Sequence, residues 1–192
     1  MKVEPIRDAQ MIADITQALE ADETESGRRR YLLWMCGIYL GRRVSDLTRM
    51  RVKDVYHRNQ INIREQKTGK QADMYLFPGT PLYDALSERL NGVDPDAYVL
   101  GGKPRPITRR TAYRDMQAIK RIAGLPADYA IGTHTLRKTF GYWYYQKTHD
   151  VATLMTLFNH SSERITLTYI GVGTDEKQQA YRHACEMYKT EF

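Results

Sequence analysis

The sequence predicts a mainly α-helical chain carrying a small three-stranded antiparallel sheet, an α+β fold. Three observations predict it. Apolar residues recur at helical spacing over most of the 192 residues, the period shortens to two between residues 52 and 77, and capping residues stand at the edges of most helical stretches. Composition agrees, because 42% hydrophobic and 27% charged residues is the balance of a globular domain with a core of its own. No apolar run approaches the roughly 20 residues of a spanning helix, and MKVEPIRDAQ lacks a signal-peptide core, so neither a membrane span nor a secretory leader is expected.

Taken in order, residues 8–21 form a helix with Ile12, Ile15 and Leu19 on one stripe. Ser26 can cap the next helix, whose Tyr31, Leu32, Trp34, Met35, Ile38 and Tyr39 make it apolar nearly all round and therefore central. Gly41 interrupts it, and a short helix with Arg43, Asp46 and Leu47 follows. Residues 52–56, 60–66 and 73–77 are the expected strands, since Ile61 and Ile63 alternate with Asn62 and Arg64. Between the last two lies Lys67-Thr68-Gly69-Lys70, a turn in which Gly69 can take positive φ. Helix resumes at Thr80-Pro81, a cap followed by a first-turn proline. Residues 108–123 form another, with Tyr113, Met116 and Ile119 as its buried side and Gly124 after its end. Thr133, Asp150, Ser162 and Thr174 are the expected caps of the remaining helices. Nothing resembles an interdomain linker, so residues 1–192 are expected to form a single domain.

The charge is basic, with 29 Lys and Arg against 23 Asp and Glu, which suggests a polyanionic partner without proving one. Cys36 and Cys185 are far apart and lack CxxC spacing. That pattern argues against a disulfide scaffold or zinc cage and suits a reducing cytoplasm. Without clustered carboxylates, Cys/His ligand spacing or a P-loop, no metal and no cofactor is expected.

The helix after Thr133 holds His134 and Arg137 on one face, beside a core stripe of Leu136, Phe140, Trp143 and Tyr144. A His-x-x-Arg pair alone is as well explained by a solvated arginine beside a core helix. Its company carries more weight: GRRVSDL over 41–47, QKTGK over 66–70, THTLRKTF over 133–140 and FNHSSERITLTYIGV over 158–172. In kind and order these segments resemble the boxes of the tyrosine recombinase, or phage integrase, family. The likeness runs from about residue 5 onward.

The resemblance implies the catalytic-domain fold of that family and phosphoryl transfer at a DNA phosphodiester. Arg43 and Arg137 match the two arginines that hold the phosphate, a task suited to a planar, permanently charged fork. Tyr169 matches the nucleophile, a phenol that needs a base or a strongly positive site because its pKa is near 10. His134 matches the residue that takes its proton or orients the phosphate, and His160 a further phosphate ligand. Lys67 matches the general acid for the departing 5′ oxygen, and Asp46 an acidic group that orients the cations. Arg42 and Lys70 are the neighbouring rivals of Arg43 and Lys67, and thirteen other tyrosines rival Tyr169. Lys138 stands where histidine is frequent in the family, and Asn159 where glycine is frequent, yet asparagine tolerates the left-handed backbone of such a turn.

The helix of residues 108–123 matches one that lies in a DNA groove, so Arg105, Arg109, Arg110 and Arg114 are expected to contact double-stranded DNA. The family's N-terminal core-binding domain is expected to be absent from these 192 residues, which are either an excised fragment or a short natural protein. The resemblance further implies a monomer without DNA and a tetramer on paired DNA sites. A C-terminal helix from Thr174, with Ala180, Tyr181, Ala184, Met187 and Tyr188 as its stripe, is expected either to fold back on its own core or, as the resemblance implies, to link protomers on DNA. Two rivals stand beside a site-specific recombinase: a relaxing topoisomerase of type IB, and a non-catalytic DNA-binding module whose pocket only grips phosphate.

Overall fold

Helix and strand boundaries follow from where backbone groups find partners. The computed structural model describes residues 3–102, 104–173, 181–182 and 184–186. They fall into two units, Met1–Phe140 and Gly141–Phe192.

In the first unit, α1 (Ala9–Glu20) starts where the Asp8 carboxylate accepts from the Gln10 and Met11 N–H groups, and it buries Ile15 and Leu19. Helix α2 (Glu25–Leu40) is capped by Thr24, whose hydroxyl accepts from the Gly27 N–H at 3.0 Å. Ser26, the expected cap, lies within the first turn instead. Asp22 accepts from both the N–H and the hydroxyl of Thr24 and so turns that residue toward the helix end. As its all-round apolarity requires, α2 is central, with Tyr31, Leu32, Leu33, Trp34, Met35, Cys36 and Leu40 buried. Short helices α3 (Val44–Leu47) and α4 (Val52–Val55) follow, then strands β1 (Gln60–Arg64) and β2 (Gln71–Tyr75), and helices α5 (Pro81–Arg89) and α6 (Arg109–Ile122). Helix α2 packs against α1, α3, α5 and α6.

The first expected strand, 52–56, is helical. Val52 and Val55 are both buried while Lys53 and Asp54 are exposed, a spacing of three that no strand can satisfy. The Asp54 carboxylate also accepts from the Arg51 N–H at 3.1 Å, closing a helical first turn. The sheet of the described residues is therefore two-stranded and antiparallel, pairing Ile61 with Met74 and Ile63 with Ala72. Strand β1 stops at Arg64 because the Glu65 N–H donates to the Lys70 carbonyl and the Gly69 N–H returns to the Glu65 carbonyl, both at 2.9 Å. Gly69 sits at φ 68°, the left-handed region that a glycine reaches without strain.

Helix α7 (Thr133–Thr148) starts in the first unit and continues into the second. Residues 135–139 are all buried, so Arg137 lies deeper than a stripe-border position suggests. Within the second unit, α8 (Val151–Phe158) is capped by Asp150 and α9 (Glu163–Ile170) by Ser162, as their sequences lead one to expect. Leu154, Phe158, Ile170 and Val172 form its buried centre, and a Cβ at Gly141 would collide with Phe158 and Ile170. The expected cap Thr174 and most of the stripe proposed for the C-terminal helix lie outside the described residues.

Candidate active site

Four cationic side chains from separate stretches of the first unit converge on one cavity of about 310 Å³. Arg43, Lys67, Arg109 and Arg137 line it together with His134, and Val44, Ser45 and Thr133 complete the wall. Among the described residues no carboxylate belongs to that lining. A concave surface of one sign concentrates anions, and guanidinium forks match the oxygens of a phosphate.

Each group has a local reason for its place. Helix α2 ends at Gly41, which adopts φ 60° with the Phe140 ring where a Cβ would stand. The reversal separates the next two arginines. Arg42 is buried and donates to Glu65 Oε1 at 3.3 Å and to the Asp73 carbonyl at 3.0 Å. Arg43, at the start of α3, opens onto the cavity and donates to Glu65 Oε2 at 3.0 Å. From α7, Arg137 reaches back to the Gly41 carbonyl at 2.7 Å with only 2% of its surface exposed. His134, one turn earlier on α7, borders the same cavity. Partial desolvation there, and then the charges of Arg137, Lys138, Arg43 and Arg109, hold its pKa below the usual histidine value, favouring neutral imidazole at pH 7. Lys67, not Lys70, lines the cavity from the exposed turn after β1.

Two buried acids stand behind these cations. Asp46 is 3% exposed and its Oδ1 accepts from the Gln66 N–H at 2.9 Å, at the root of the Lys67 turn. Glu65, 1% exposed, takes hydrogen bonds from Arg42, Arg43 and, at 2.7 Å, the Thr68 hydroxyl. Burial pushes the Glu65 pKa up, but Thr68, Arg43 and Arg42 outweigh it and hold the carboxyl below the usual range. No sequence signal singled out Glu65, because its partners lie 22 and 23 residues away on the other side of α4.

The second unit places His160 and Tyr169 against each other. Helix α8 ends at Asn159 in the left-handed conformation, φ 51°, which releases His160 into the turn before α9. The His160 and Tyr169 ring centroids are 5.2 Å apart, edge to face, and Phe158 packs on both at 5.4 and 5.6 Å. His160 Nδ1 lies 3.1 Å from the buried Thr166 hydroxyl, which also lies 3.2 Å from the Ser162 carbonyl. Tyr169 stands in the last turn of α9, before the left-handed cap Gly171.

On α6 the buried stripe is Ala112, Asp115, Met116 and Ile119. Tyr113, expected inside, is 54% exposed, since its position falls about 100° around the helix from Ala112. It shares the exposed face with Arg110 and Arg114, and Arg105 is exposed in the preceding loop. Asp115 receives a bidentate bond from Arg29 at 2.8 and 3.0 Å, which ties this helix to α2. Among the described residues no cluster of three or more His, Cys, Asp or Glu is placed to hold a metal ion, and no helix is long and apolar enough to cross a membrane.

Comparison with known proteins supplies the family. The model of the phage integrase family matches residues 8–176. The probable integrase/recombinase YoeC of Bacillus subtilis (strain 168) is 35% identical over 182 residues, covering 94% of this chain and 96% of that protein. A tyrosine recombinase of Pseudothermotoga lettingae is 28% identical over 159 residues, covering 80% of this chain but only 53% of its own length. In fold, the crystal structure of XerA recombinase gives a TM-score of 0.72 at 20% identity, covering 94% of this chain and 64% of that one. The lambda integrase catalytic core gives 0.57 at 18% identity, covering 81% of this chain and 93% of the core. The family match spans every segment that builds the cationic cavity and the His160–Tyr169 pair, and the chain belongs to the phage integrase family.

Proposed function

We propose that this chain cleaves and rejoins double-stranded DNA through a covalent phosphotyrosine, without metal or cofactor. The observation that carries the reading is the cavity itself: among the described residues, four cations and one imidazole surround a space with no carboxylate in its wall. Such a site suits a phosphodiester whose non-bridging oxygens gain charge as phosphorus becomes five-coordinate.

In the proposed reaction Arg43 and Arg137 grip those oxygens. Tyr169 Oη attacks phosphorus and gives up its proton, for which neutral His134 is the acceptor. Lys67 Nζ gives a proton to the departing 5′ oxygen. One P–O bond forms and one breaks, leaving a 3′-phosphotyrosine and a free 5′ hydroxyl. Attack by that hydroxyl, or by one from a second duplex, reverses the step, so the bond energy is conserved and no nucleotide is consumed. His160 is held from behind by Thr166, whose hydroxyl donates to the Ser162 carbonyl and so accepts from Nδ1; as an imidazolium it donates to the phosphate through Nε2. Asp46 steadies the Lys67 turn through the Gln66 N–H. The exposed arginines Arg105, Arg110 and Arg114, with Arg109 at the cavity, track the DNA backbone.

The chain spans about half the length of some of its relatives, so the whole-protein activity is part of the proposal. We place it in the cytoplasm, monomeric without DNA and tetrameric on paired sites. The test begins with DNA recovered covalently attached to the protein in cells and sequenced. A duplex of that sequence, nicked near the junction, should trap a denaturant-resistant protein–DNA adduct in excess EDTA. Absence of any adduct with that duplex, or an absolute need for added magnesium, would overturn the reading.

A further inference from the structure

We propose that Glu65 is a positioning residue that sets Arg43 and the Lys67 turn in a single arrangement. The inference rests on the proposed DNA cleavage and goes beyond it by naming what aligns two groups brought from different elements.

The geometry is that of a shared clamp. Glu65 Oε2 accepts from Arg43 Nη1 at 3.0 Å and from Thr68 Oγ1 at 2.7 Å. Oε1 accepts from the buried Arg42 at 3.3 Å. The same residue closes the turn with its backbone, its N–H donating to the Lys70 carbonyl and its carbonyl accepting from the Gly69 N–H. Lys67 is thus framed by a side-chain bond on Thr68 and backbone bonds on Gly69 and Lys70, all ending on Glu65. Lys67 itself is exposed and long, and a lysine whose base is unfixed samples many rotamers. Arg43 also needs orientation, because a guanidinium gives two parallel bonds to a phosphate only when its plane is set.

Charge strengthens the case. The Glu65 side chain has no exposed surface, and a buried carboxylate persists only when paired and hydrogen-bonded. Arg42 also pairs with it, from the inner side, so the carboxylate does not draw on Arg43 alone. Two arginines thus share the one Glu65 carboxylate, and its charge is not set against Arg43 by itself. A carboxylate bound to Arg43 alone would cancel the charge that the site needs.

The test compares two substitutions on two nicked duplexes of the sequence recovered from the covalent adduct. One duplex has the ordinary 5′ oxygen at the scissile bond. The other has sulfur there, whose thiolate leaves without a proton. Thr68→Val removes the hydroxyl that donates to Glu65 and that also accepts from the Lys70 N–H at 3.3 Å, two side-chain bonds that fix the turn. We expect its single-turnover adduct formation to fall about 10-fold or more on the oxygen duplex and to stay near wild type on the sulfur duplex, since misplacement by about 1 Å costs up to about 10²-fold. Glu65→Gln also releases Arg43, so it should lose rate on both duplexes, with the larger loss on oxygen. Thermal midpoints are measured alongside, and if Glu65→Gln does not fold, Thr68→Val alone carries the comparison. A merely structural role lowers both duplexes equally. Equal losses with Thr68→Val, or wild-type rates in both variants, overturn the inference while leaving the proposed function intact. No adduct from the wild-type protein on either duplex overturns the proposed function, and the inference falls with it.

Discussion

Gly37 lies inside α2, yet its missing side chain is what lets α7 come close. A Cβ added there falls 2.7 Å from Leu136 Cβ and 2.9 Å from Leu136 Cγ. The carbon–carbon optimum is about 3.5–4.0 Å, so Gly37→Ala is short by roughly 1 Å. Rotation of Leu136 relieves only its outer atoms, because its Cβ is fixed to the helix. The helices must part, at a cost of about 1–3 kcal/mol for overpacking. Leu136→Ala alone costs about 2–5 kcal/mol as a buried cavity. Together the two should fall short of additive by about 0.5–2 kcal/mol, since the new methyl occupies part of the vacated space. Function should suffer beyond stability. Arg137 on α7 bonds to the carbonyl of Gly41 at the end of α2, so parting these helices displaces it from Arg43. Denaturant unfolding and single-turnover adduct formation read the two effects separately. Wild-type stability and rate in Gly37→Ala, or strict additivity with Leu136→Ala, would refute the reasoning.

Other expected outcomes follow from the cavity. Arg43→Ala should lower the cleavage rate about 10²–10³-fold while DNA affinity changes only a few-fold, as for loss of one preorganised donor; single-turnover kinetics beside equilibrium binding checks this. The pKa of His134 is held below its ordinary 6.5, so neutral imidazole is still the majority form at pH 6.5. The acid limb of adduct formation at subsaturating protein should therefore lie below pH 6.5, and His134→Gln should remove it. Arg110→Ala and Arg114→Ala should each reduce the slope of log affinity against log salt by about 0.9, measured by titration at several salt concentrations.

Much of this molecule was legible because local rules and tertiary packing agree. Asp150 and Ser162 cap helices where their side chains predict, and Asn159 takes the left-handed turn in place of glycine. Helix α2 is buried nearly all round, as its composition implies. Where reading failed, a contact distant in sequence decided. Residues 52–55 are rich in valine and look extended, but the N–H groups of Val52 and Lys53 go to the Ala97 and Pro95 carbonyls, and a helical turn satisfies the rest. Thr24 displaced Ser26 as a cap through Asp22. Tyr113 shares a spacing of three with Met116 and Ile119, but its helix position faces outward. In the site, the resemblance named Arg43, Lys67, His134 and Arg137, which the structure brings to one cavity, and Asp46 beside them. It missed Glu65, whose importance depends on Arg42 and Arg43 folding back over the strand end, and it assigned Arg109 to the DNA face without foreseeing its place in the cavity wall.

The central claim concerns one hydroxyl. Digestion of the trapped adduct and mass spectrometry of the DNA-linked peptide should locate the phosphodiester on Tyr169, and Tyr169→Phe should form no adduct while binding the same duplex within a few-fold of wild type. A DNA-linked peptide carrying a different tyrosine, with Tyr169→Phe still forming adduct at the wild-type rate, would contradict the account.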